Sequence, residues 1–278
     1  MTVRIVTDST CDLPPDLVDR LKIYVLPVYI HIGNRDYLDG VDISRDEFYA
    51  NLPDYETQPT TAVPSPAKFH AVYDALADEG ATEVLSIHIS ESLSAVVNVA
   101  RTAAAETASV PVTVFDSGQL SLGTGFLVQT AAELALQGRS VAEILPILDG
   151  QINRTYVAAG LDTLQYLRRS GRMNAAISTI GDLIQLKPIL KMYNGKSGAE
   201  RVRTRRKVIA RLAEMIKSHS PLERIAFLHS GALESVQALQ DEVRQFLPDC
   251  EIWLEMINPV LGAHIGPGVV GFACVSNE

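Results

Sequence analysis

The sequence is poor in cysteine and lacks any long apolar run. Its three cysteines, Cys11, Cys250 and Cys274, are widely separated, and an odd number at that spacing forms neither a disulfide framework nor a metal-binding knuckle. No apolar stretch approaches the ~20 residues that a membrane-spanning helix needs. A strand pattern starts almost at once, at Arg4, so no signal peptide is expected. These absences predict a cytoplasmic protein with no integral membrane segment.

Positive charge is also scarce. Lysine and arginine number 24 against 33 acidic residues, which gives a formal net charge of −9. Binding to nucleic acid or to an anionic membrane surface needs clustered basic side chains, so the overall charge disfavours both. An acidic ligand would therefore have to be held by local groups. The remaining composition, 47% apolar and 21% charged over 278 residues, is that of a globular protein long enough for two domains.

Most short signatures of enzymes are missing. The sequence has no Gly-x-x-x-x-Gly-Lys-Ser/Thr phosphate loop and no Gly-x-Gly-x-x-Gly after its first strand pattern. It also lacks His-Glu-x-x-His, Gly-x-Ser-x-Gly and paired-cysteine motifs. A binding site is therefore favoured over a reaction centre.

The order of strand and helix patterns predicts an α/β fold. In the first half, strand patterns at 4–7, 23–30, 84–89 and 112–116 alternate with helix patterns at 14–21, 67–77, 94–108 and 120–137. This alternation is typical of a mainly parallel, doubly wound sheet. The second half has strand patterns at 156–160, 188–192, 225–228, 251–256 and 269–275, and long helical stretches at 204–218 and 232–246. We expect two packed domains, a parallel α/β domain over 1–150 and an α+β domain over 151–278.

Loops rich in hydroxyl groups follow the predicted strands. They include Thr7–Thr10, Ser90–Ser94 and Asp116–Ser117, and a fourth segment, Thr60–Pro66, also precedes a helix. In a parallel sheet such loops lie along the carboxyl edge, where free N–H groups of helix N-termini can hold a small anion. Taken singly, Ser90 and Ser65 are more often helix caps than ligand contacts.

Other residues leave alternatives open. Asp8, Asp12 and Asp116 could form the carboxylate cluster of a metal-dependent hydrolase or phosphotransferase, although capping and loop-tying roles are the commoner use of such aspartates. Cys11 could be a nucleophile, but no histidine is near it in sequence and a buried inert thiol is favoured.

A local reversal of charge occurs between residues 196 and 211. This segment has one acid, Glu200, and seven basic side chains: Lys196, Arg201, Arg203, Arg205, Arg206, Lys207 and Arg211. A solvated helix face and a docking surface for an acidic partner both fit the pattern. As a third possibility, the basic segment is part of the binding site of a small-molecule sensor for another carboxylate or for a phosphate. RNA binding is disfavoured because no aromatic residues are interleaved with the arginines.

Seven motifs in order along the chain carry a resemblance to a known family. They are 5–14 (IVTDSTCDLP), 60–66 (TTAVPSP), 89–94 (ISESLS), 164–172 (LQYLRRSGR), 187–190 (KPIL), 203–205 (RTR) and 263–268 (AHIGPG). Together they resemble the DegV family of fatty-acid-binding proteins, of the FakB type, over essentially the whole chain.

The resemblance implies a lipid-binding protein with no catalytic activity and no cofactor. Such a protein buries one long-chain fatty acid, such as palmitate, between its domains, with the C-terminal domain closing the pocket. It presents the carboxylate to a partner, the fatty acid kinase catalytic protein, for acyl-phosphate formation that feeds phospholipid metabolism. By motif position the carboxylate contacts fall on Thr61, Ser94 and His264, and the resemblance favours partner docking by three arginines, Arg172, Arg203 and Arg205.

Two departures from the family pattern concern the pocket. Ala95-Val96 stands where the family usually has Gly-Thr, and Ala62-Val63 replaces the usual Ser-Gln. The added methyl groups and the lost hydroxyl are expected to reshape the pocket and so to affect the preferred acyl chain.

Overall fold

The computed structural model describes residues 2–173 and 187–277. Its strands are β1 (Val3–Asp8), β2 (Tyr24–Leu26), β3 (Tyr29–Ile32), β4 (Arg35–Leu38), β5 (Thr60–Ala62), β6 (Glu83–His88), β7 (Val112–Asp116), β8 (Thr155–Gly160), β9 (Lys187–Tyr193), β10 (Lys196–Val202), β11 (Leu222–His229), β12 (Trp253–Met256) and β13 (Val270–Ser276). Its α-helices are α1 (Pro15–Arg20), α2 (Arg45–Asn51), α3 (Pro66–Asp78), α4 (Val96–Glu106), α5 (Leu122–Leu136), α6 (Val141–Ile152), α7 (Gln165–Arg169), α8 (Arg205–His219), α9 (Leu233–Val243) and α10 (Pro259–Ile265).

The first sheet is parallel throughout. Its strand order is β2-β1-β6-β7, and all three neighbouring pairs run in the same direction. The chain leaves β1 towards one side and returns as β6 on the other, so the topological switch point lies between these two strands. In open α/β sheets ligands bind outside the carboxyl ends of the strands at such a point.

A small antiparallel sheet corrects one sequence-based prediction. The apolar run 23–30 was expected to form a single strand, but it divides into β2 and β3, with Pro27 and Val28 between them. β3 then pairs with β4 and β5 in a separate sheet of order β4-β3-β5. The segment from Thr60, expected to be a loop, is therefore strand β5. Proline has no N–H to donate to a ladder, which explains why the strand breaks there.

The second large sheet has the order β10-β9-β8-β13-β11-β12. Only the β11–β12 pair is parallel, and the other neighbouring pairs are antiparallel. Helices α8 and α9 pack on this sheet. The protein is thus an α/β fold with a parallel N-terminal sheet and a mixed C-terminal sheet, as predicted, although the edge strand β10 was not expected within the basic segment.

Helix α5 joins the two large sheets. It packs against β1 and β6 of the parallel sheet and against β8 and β13 of the mixed sheet, and its residues from Leu122 to Val128 are buried. One apolar core therefore runs through both halves, from Val6 and Leu127 to Ala273. The predicted domain boundary at residues 150 and 151 falls in the last turn of α6 and stays a prediction.

Of the two predicted helix caps, Ser90 is wrong and Ser65 is confirmed in position. The N-cap of α4 is Ala95, not Ser90, whose hydroxyl accepts instead from the amide of Ser92. Ser65 occupies the N-cap position of α3, with Pro66 following it, but its side chain makes no capping hydrogen bond. The box of Ser140 with Glu143 at the start of α6 is formed. No helix within residues 2–173 and 187–277 is long and apolar enough to cross a membrane.

Candidate functional site

Two neighbouring cavities lie between the parallel sheet, the mixed sheet and α10. The first, here called the head cavity, has a volume of about 880 Å³ including its part open to solvent. The second, the tail cavity, has a volume of about 590 Å³ on the same basis. Both are lined by Leu93, Leu120, Leu190, Leu261 and Ile265. The two cavities are therefore adjacent, and together they are here called the channel.

The head cavity contains the polar groups. Thr61, Ser94, His264 and Arg172 all line it, together with Thr10. The tail cavity is lined almost entirely by aliphatic side chains. The channel therefore has a polar end and an apolar end, which is the chemical division of an amphipathic ligand.

The local structure at Thr61 and Ser94 follows from strand pairing and helix geometry. Thr61 lies on β5 opposite Ile30 of β3. Ser94 lies just before α4, where its amide donates to the carbonyl of Ser90 at 3.1 Å and its Oγ accepts from the amide of Val96 at 3.4 Å. A helix N-terminus leaves backbone N–H groups free and favours negative charge. Ser94 thus sits where an anion is electrostatically favoured.

Helix α10 carries the third residue. Asn258 caps its N-terminus by accepting from the amide of Leu261 at 2.9 Å, and Gly266 ends it at a φ of 75°. A side chain at Gly266 would overlap the ring of Tyr166, so both the backbone angle and the space require glycine. His264 lies in the last turn, and its Nε2 is 3.1 Å from the hydroxyl of Thr61.

The His264 ring is uncharged at neutral pH. Burial lowers its pKa to about 4, and the nearby positive charge of Arg172 acts in the same direction. Its Nδ1 is buried and has no hydrogen-bond partner in the described part of the chain. The imidazole therefore offers one N–H group and no net charge, whereas Arg172 supplies positive charge at the cavity wall.

A buried network holds α10 against the loop after β1. Asp12 accepts from both the backbone and the side-chain amide of Asn258 at 3.0 Å, and it pairs with Arg45 at 3.2 Å. Ser121, at the start of α5, donates to the other carboxylate oxygen. Burial raises the pKa of Asp12, and Arg45 and these donors oppose the rise. The network ties β1, α2, α5 and α10 together around the channel.

A second buried network starts at Asp8. Its carboxylate lies 2.9 Å from Nδ1 of His88, Nε2 of that ring lies 2.7 Å from Ser86, and Ser86 lies 2.9 Å from the hydroxyl of Tyr73. The order Asp–His–Ser resembles that of a hydrolase triad. Ser86 is fully buried and already bonded to the tyrosine, however, so no substrate can reach it, and the chain of bonds is structural.

The three aspartates of the alternative enzyme hypothesis do not form one site. Strand register places Asp8 and Asp116 on either side of His88, with β6 between them, so their backbones are about 10 Å apart at normal strand spacing. Asp116 accepts from the amides of Gly118 and Glu91. Within residues 2–173 and 187–277 no group of acidic, histidine or cysteine side chains could hold a metal ion. All three aspartates thus accept hydrogen bonds from other groups of the protein.

The cysteine of the loop after β1 is unsuited to nucleophilic chemistry. Cys11 is buried, and burial raises the pKa of its thiol to about 12. A thiol of this kind stays protonated and unreactive at neutral pH.

The basic residues divide into engaged and free side chains. Glu200 pairs with both Lys191 and Arg211. Arg205 donates to Ser235 at 2.9 Å and lies 3.5 Å from Asp162. Within the described ranges, the side chains of Arg172 and Arg203 have no hydrogen-bond or ion-pair partner, and both are exposed. Arg172 lies at the head cavity, Arg203 between β10 and α8.

Sequence reasoning did not identify the tail cavity. Its distinctive residues include Val157, Met192, Leu228 and Ile257, which come from four separate segments. Each reads in sequence as an ordinary core residue. The available signal was small: Gly and Ala positions on buried elements, such as Gly123 and Ala159, mark places where neighbouring groups approach closely.

Solved relatives share this fold. A DegV family protein from Thermus thermophilus, described by its fatty acid binding, superposes with a TM-score of 0.90 at 36% identity over 100% of both chains. DegV from Bacillus subtilis, described as a fatty acid binding protein, gives a TM-score of 0.89 at 29% identity, covering 99% of this chain and 100% of that one. Neither is described as an enzyme.

Sequence comparison agrees with the structural match. A DegV domain-containing protein of Deinococcus radiodurans is 37% identical over 282 residues, 98% of each chain. One from Streptomyces coelicolor is 36% identical over 275 residues, 97% of this chain and 96% of the relative. The family model described as "Uncharacterised protein, DegV family" matches residues 2–277. The chain therefore belongs to the DegV family.

Proposed function

We propose that this protein binds one long-chain fatty acid, with the carboxylate in the head cavity and the acyl chain in the tail cavity. The observation that carries the proposal is the channel itself, in which hydroxyl and imidazole groups at one end open into an aliphatic cavity at the other. The protein acts by holding its ligand and has no reaction centre of its own.

The polar end meets the requirements of a buried carboxylate. A carboxylate without hydrogen bonds is expensive to bury, and here the hydroxyls of Thr61 and Ser94 and the N-terminal end of α4 are available to it. His264 is hydrogen-bonded to Thr61 and completes the set. These groups fix the orientation of the ligand.

The apolar end supplies most of the affinity. At about 0.8 kcal/mol for each buried methylene, a chain of about fifteen methylenes gains roughly 12 kcal/mol before the costs of binding are subtracted. Those costs are several kcal/mol or more, so the acyl chain must supply the larger part of the favourable free energy of binding. The fatty acid binding described for the T. thermophilus and B. subtilis relatives supports the same ligand class.

Native mass spectrometry of the purified protein tests this proposal. We expect an adduct with the mass of a fatty acid, released on denaturation and identified by extraction, and restored when fatty acid is added to delipidated protein. A protein that carries no acyl ligand and takes up none when offered would refute the proposal.

We further propose that the bound carboxylate is presented to a separate kinase in the cytoplasm. The support is the exposed side chains of Arg172 and Arg203, which have no partner among the residues that the structure describes, together with Arg205 at the start of α8. Unpaired arginines favour docking to an acidic surface because the guanidinium binds carboxylates through paired donors. Formation of an acyl phosphate next to these residues would account for their placement.

Acyl-phosphate formation with a fatty acid kinase catalytic protein and ATP, trapped with hydroxylamine, tests the presentation step. Arg172→Ala and Arg203→Ala should lower the rate at least tenfold while fatty acid remains bound. Arg206→Ala removes a neighbouring exposed arginine and serves as the matched control. Equal rates of acyl-phosphate formation for all three variants would show that the docking surface lies elsewhere.

A further inference from the structure

Several apolar side chains belong to the tail cavity alone. Val157, Met192, Leu228 and Ile257 line the tail cavity and not the head cavity. Val157 of β8 and Met192 of β9 are directly paired in the antiparallel register, so their side chains project from the same face of the mixed sheet. They stand together as one wall of the cavity.

The two side chains of this wall differ in their conformational freedom. Methionine is unbranched and has three rotatable bonds, so Met192 can adapt to a ligand. Valine is branched at Cβ and is held to few χ1 rotamers. A chain that reaches this wall can displace Met192 by a rotamer change, but Val157 moves only if its surroundings move.

Val157 packs directly against Gly123 of α5. This glycine is buried in α5, and a Cβ atom built on it would lie 2.5 Å from Cγ2 of Val157 and 3.0 Å from Oε1 of Gln119. Val157 therefore already occupies the space that a side chain at position 123 would take. Glycine within a helix costs about 1 kcal/mol relative to alanine, and here its absent side chain leaves the space that Val157 occupies.

We propose that Val157, seated against Gly123, sets the longest acyl chain that the tail cavity accepts. The inference rests on the proposed function and deepens it, since it assigns chain-length selection to one side chain and its glycine support. Gly123 is a positioning residue, which acts only through Val157. The methyl end of the ligand meets the Val157–Met192 wall.

A competition among saturated fatty acids tests the inference. Delipidated protein is offered an equimolar mixture of lauric, myristic, palmitic, stearic and arachidic acids, and the bound fraction is extracted and identified by mass spectrometry. Val157→Ala should shift the preferred acid towards longer chains by about two carbons, because it deletes two methyl groups from the wall. Val157→Phe should shift it towards shorter chains.

Gly123→Ala supplies a second test because position 123 contacts Val157 but does not itself line the cavity. The new methyl group should push Val157 inward and so shorten the preferred chain, in the same direction as Val157→Phe. Gly150→Ala is the matched control, since Gly150 is also helical but a Cβ there meets nothing within 4 Å. If Gly123→Ala does not fold, the two Val157 variants still decide the matter.

The outcomes separate this inference from the function on which it rests. Fatty acid bound by the wild type, with the same chain-length preference in both Val157 variants, would overturn the role of Val157 and leave fatty acid binding intact. No fatty acid bound by the wild type would overturn both.

Discussion

The hydroxyl of Thr61 lies 3.1 Å from Nε2 of His264, which joins strand β5 to the end of α10 across 203 positions of sequence. The Nδ1 atom of the same ring is buried without a partner in the described part of the chain. An orphaned buried N–H is rarer than an unpaired acceptor, so the ring proton belongs on Nε2. The histidine then donates to Thr61, and the threonine hydroxyl is free to donate to a ligand.

Removing that hydroxyl should weaken binding and leave the fold intact. Thr61→Ala deletes one hydrogen bond to a charged group, a loss of about 1.5–3 kcal/mol or roughly 10- to 100-fold in affinity. Displacement of a fluorescent fatty acid measures the change. Thr102→Ala is the control, because that exposed threonine on α4 bonds only to the carbonyl of Asn98. Equal affinity of the two variants would place the carboxylate elsewhere.

The buried histidine should make stability depend on pH in a defined window. In the unfolded chain the histidine pKa is about 6.5, whereas in the fold the pKa of His264 is lowered to about 4. Between these values the unfolded state binds a proton that the folded state does not, so the free energy of unfolding falls as pH drops from 6.5 towards 4. Denaturant titrations across this range should show a steeper fall for the wild type than for His264→Gln.

The comparison is specific to His264 because the other buried histidines remain. The pKa values of His219 and His229 are also lowered by burial, and both act equally in the two proteins. If the free energy of unfolding falls equally steeply with pH in the wild type and in His264→Gln, the ring of His264 is not buried in its neutral form.

Breaking the Arg45–Asp12 pair should destabilise the protein strongly. Asp12 is fully buried, so Arg45→Met leaves a buried carboxylate with less compensation, and removal of one partner of such a pair costs about 3–5 kcal/mol. Chemical denaturation measures the loss. Arg101→Met breaks an exposed pair with Glu91 and should cost at most about 1 kcal/mol. A similar small loss for both would show that Asp12 is held by its hydrogen bonds alone.

A methyl group at Gly266 should damage the head cavity. Gly266 and Gly138 both have positive φ angles, 75° and 83°, so alanine is strained at either position. Only at Gly266 would the new group overlap the ring of Tyr166, whereas nothing lies within 4 Å at Gly138. Gly266→Ala should therefore lose more stability than Gly138→Ala and should also release fatty acid faster. If Gly266→Ala and Gly138→Ala lose the same amount of melting temperature and of ligand retention, the ring of Tyr166 moves aside for the new methyl group.

The fold class could be predicted because its strands carry strong local signals. β6 is buried along almost its whole length, and its Val84, Leu85 and Ile87 are typical of a buried strand. The capping box of Ser140 and Glu143 marks the start of α6. The change of sheet at Pro27 was missed because an apolar pattern does not record which neighbour a strand pairs with. β10 was missed because an edge strand with Lys196, Glu200 and Arg201 has the composition of a solvated segment.

The candidate site depended on a different kind of information. Nothing local to Thr61, Ser94 or His264 predicts that they line one cavity, and only the resemblance to a family suggested it. The structure brings the three to the head cavity, and their contact with a ligand stays a prediction. The tail cavity was beyond sequence reasoning because its wall is formed by side chains whose apolar character equally fits a solid core.

The position of β13 has a consequence for how the protein is made. This strand, residues Val270–Ser276, lies in the middle of the mixed sheet between β8 and β11, and α10 with His264 comes just before it. A chain still emerging from the ribosome can pair β1 with β6, but it cannot complete the mixed sheet or bring His264 to Thr61. The wall of the tail cavity that β8 and β11 provide is therefore complete only in a chain whose synthesis has reached β13.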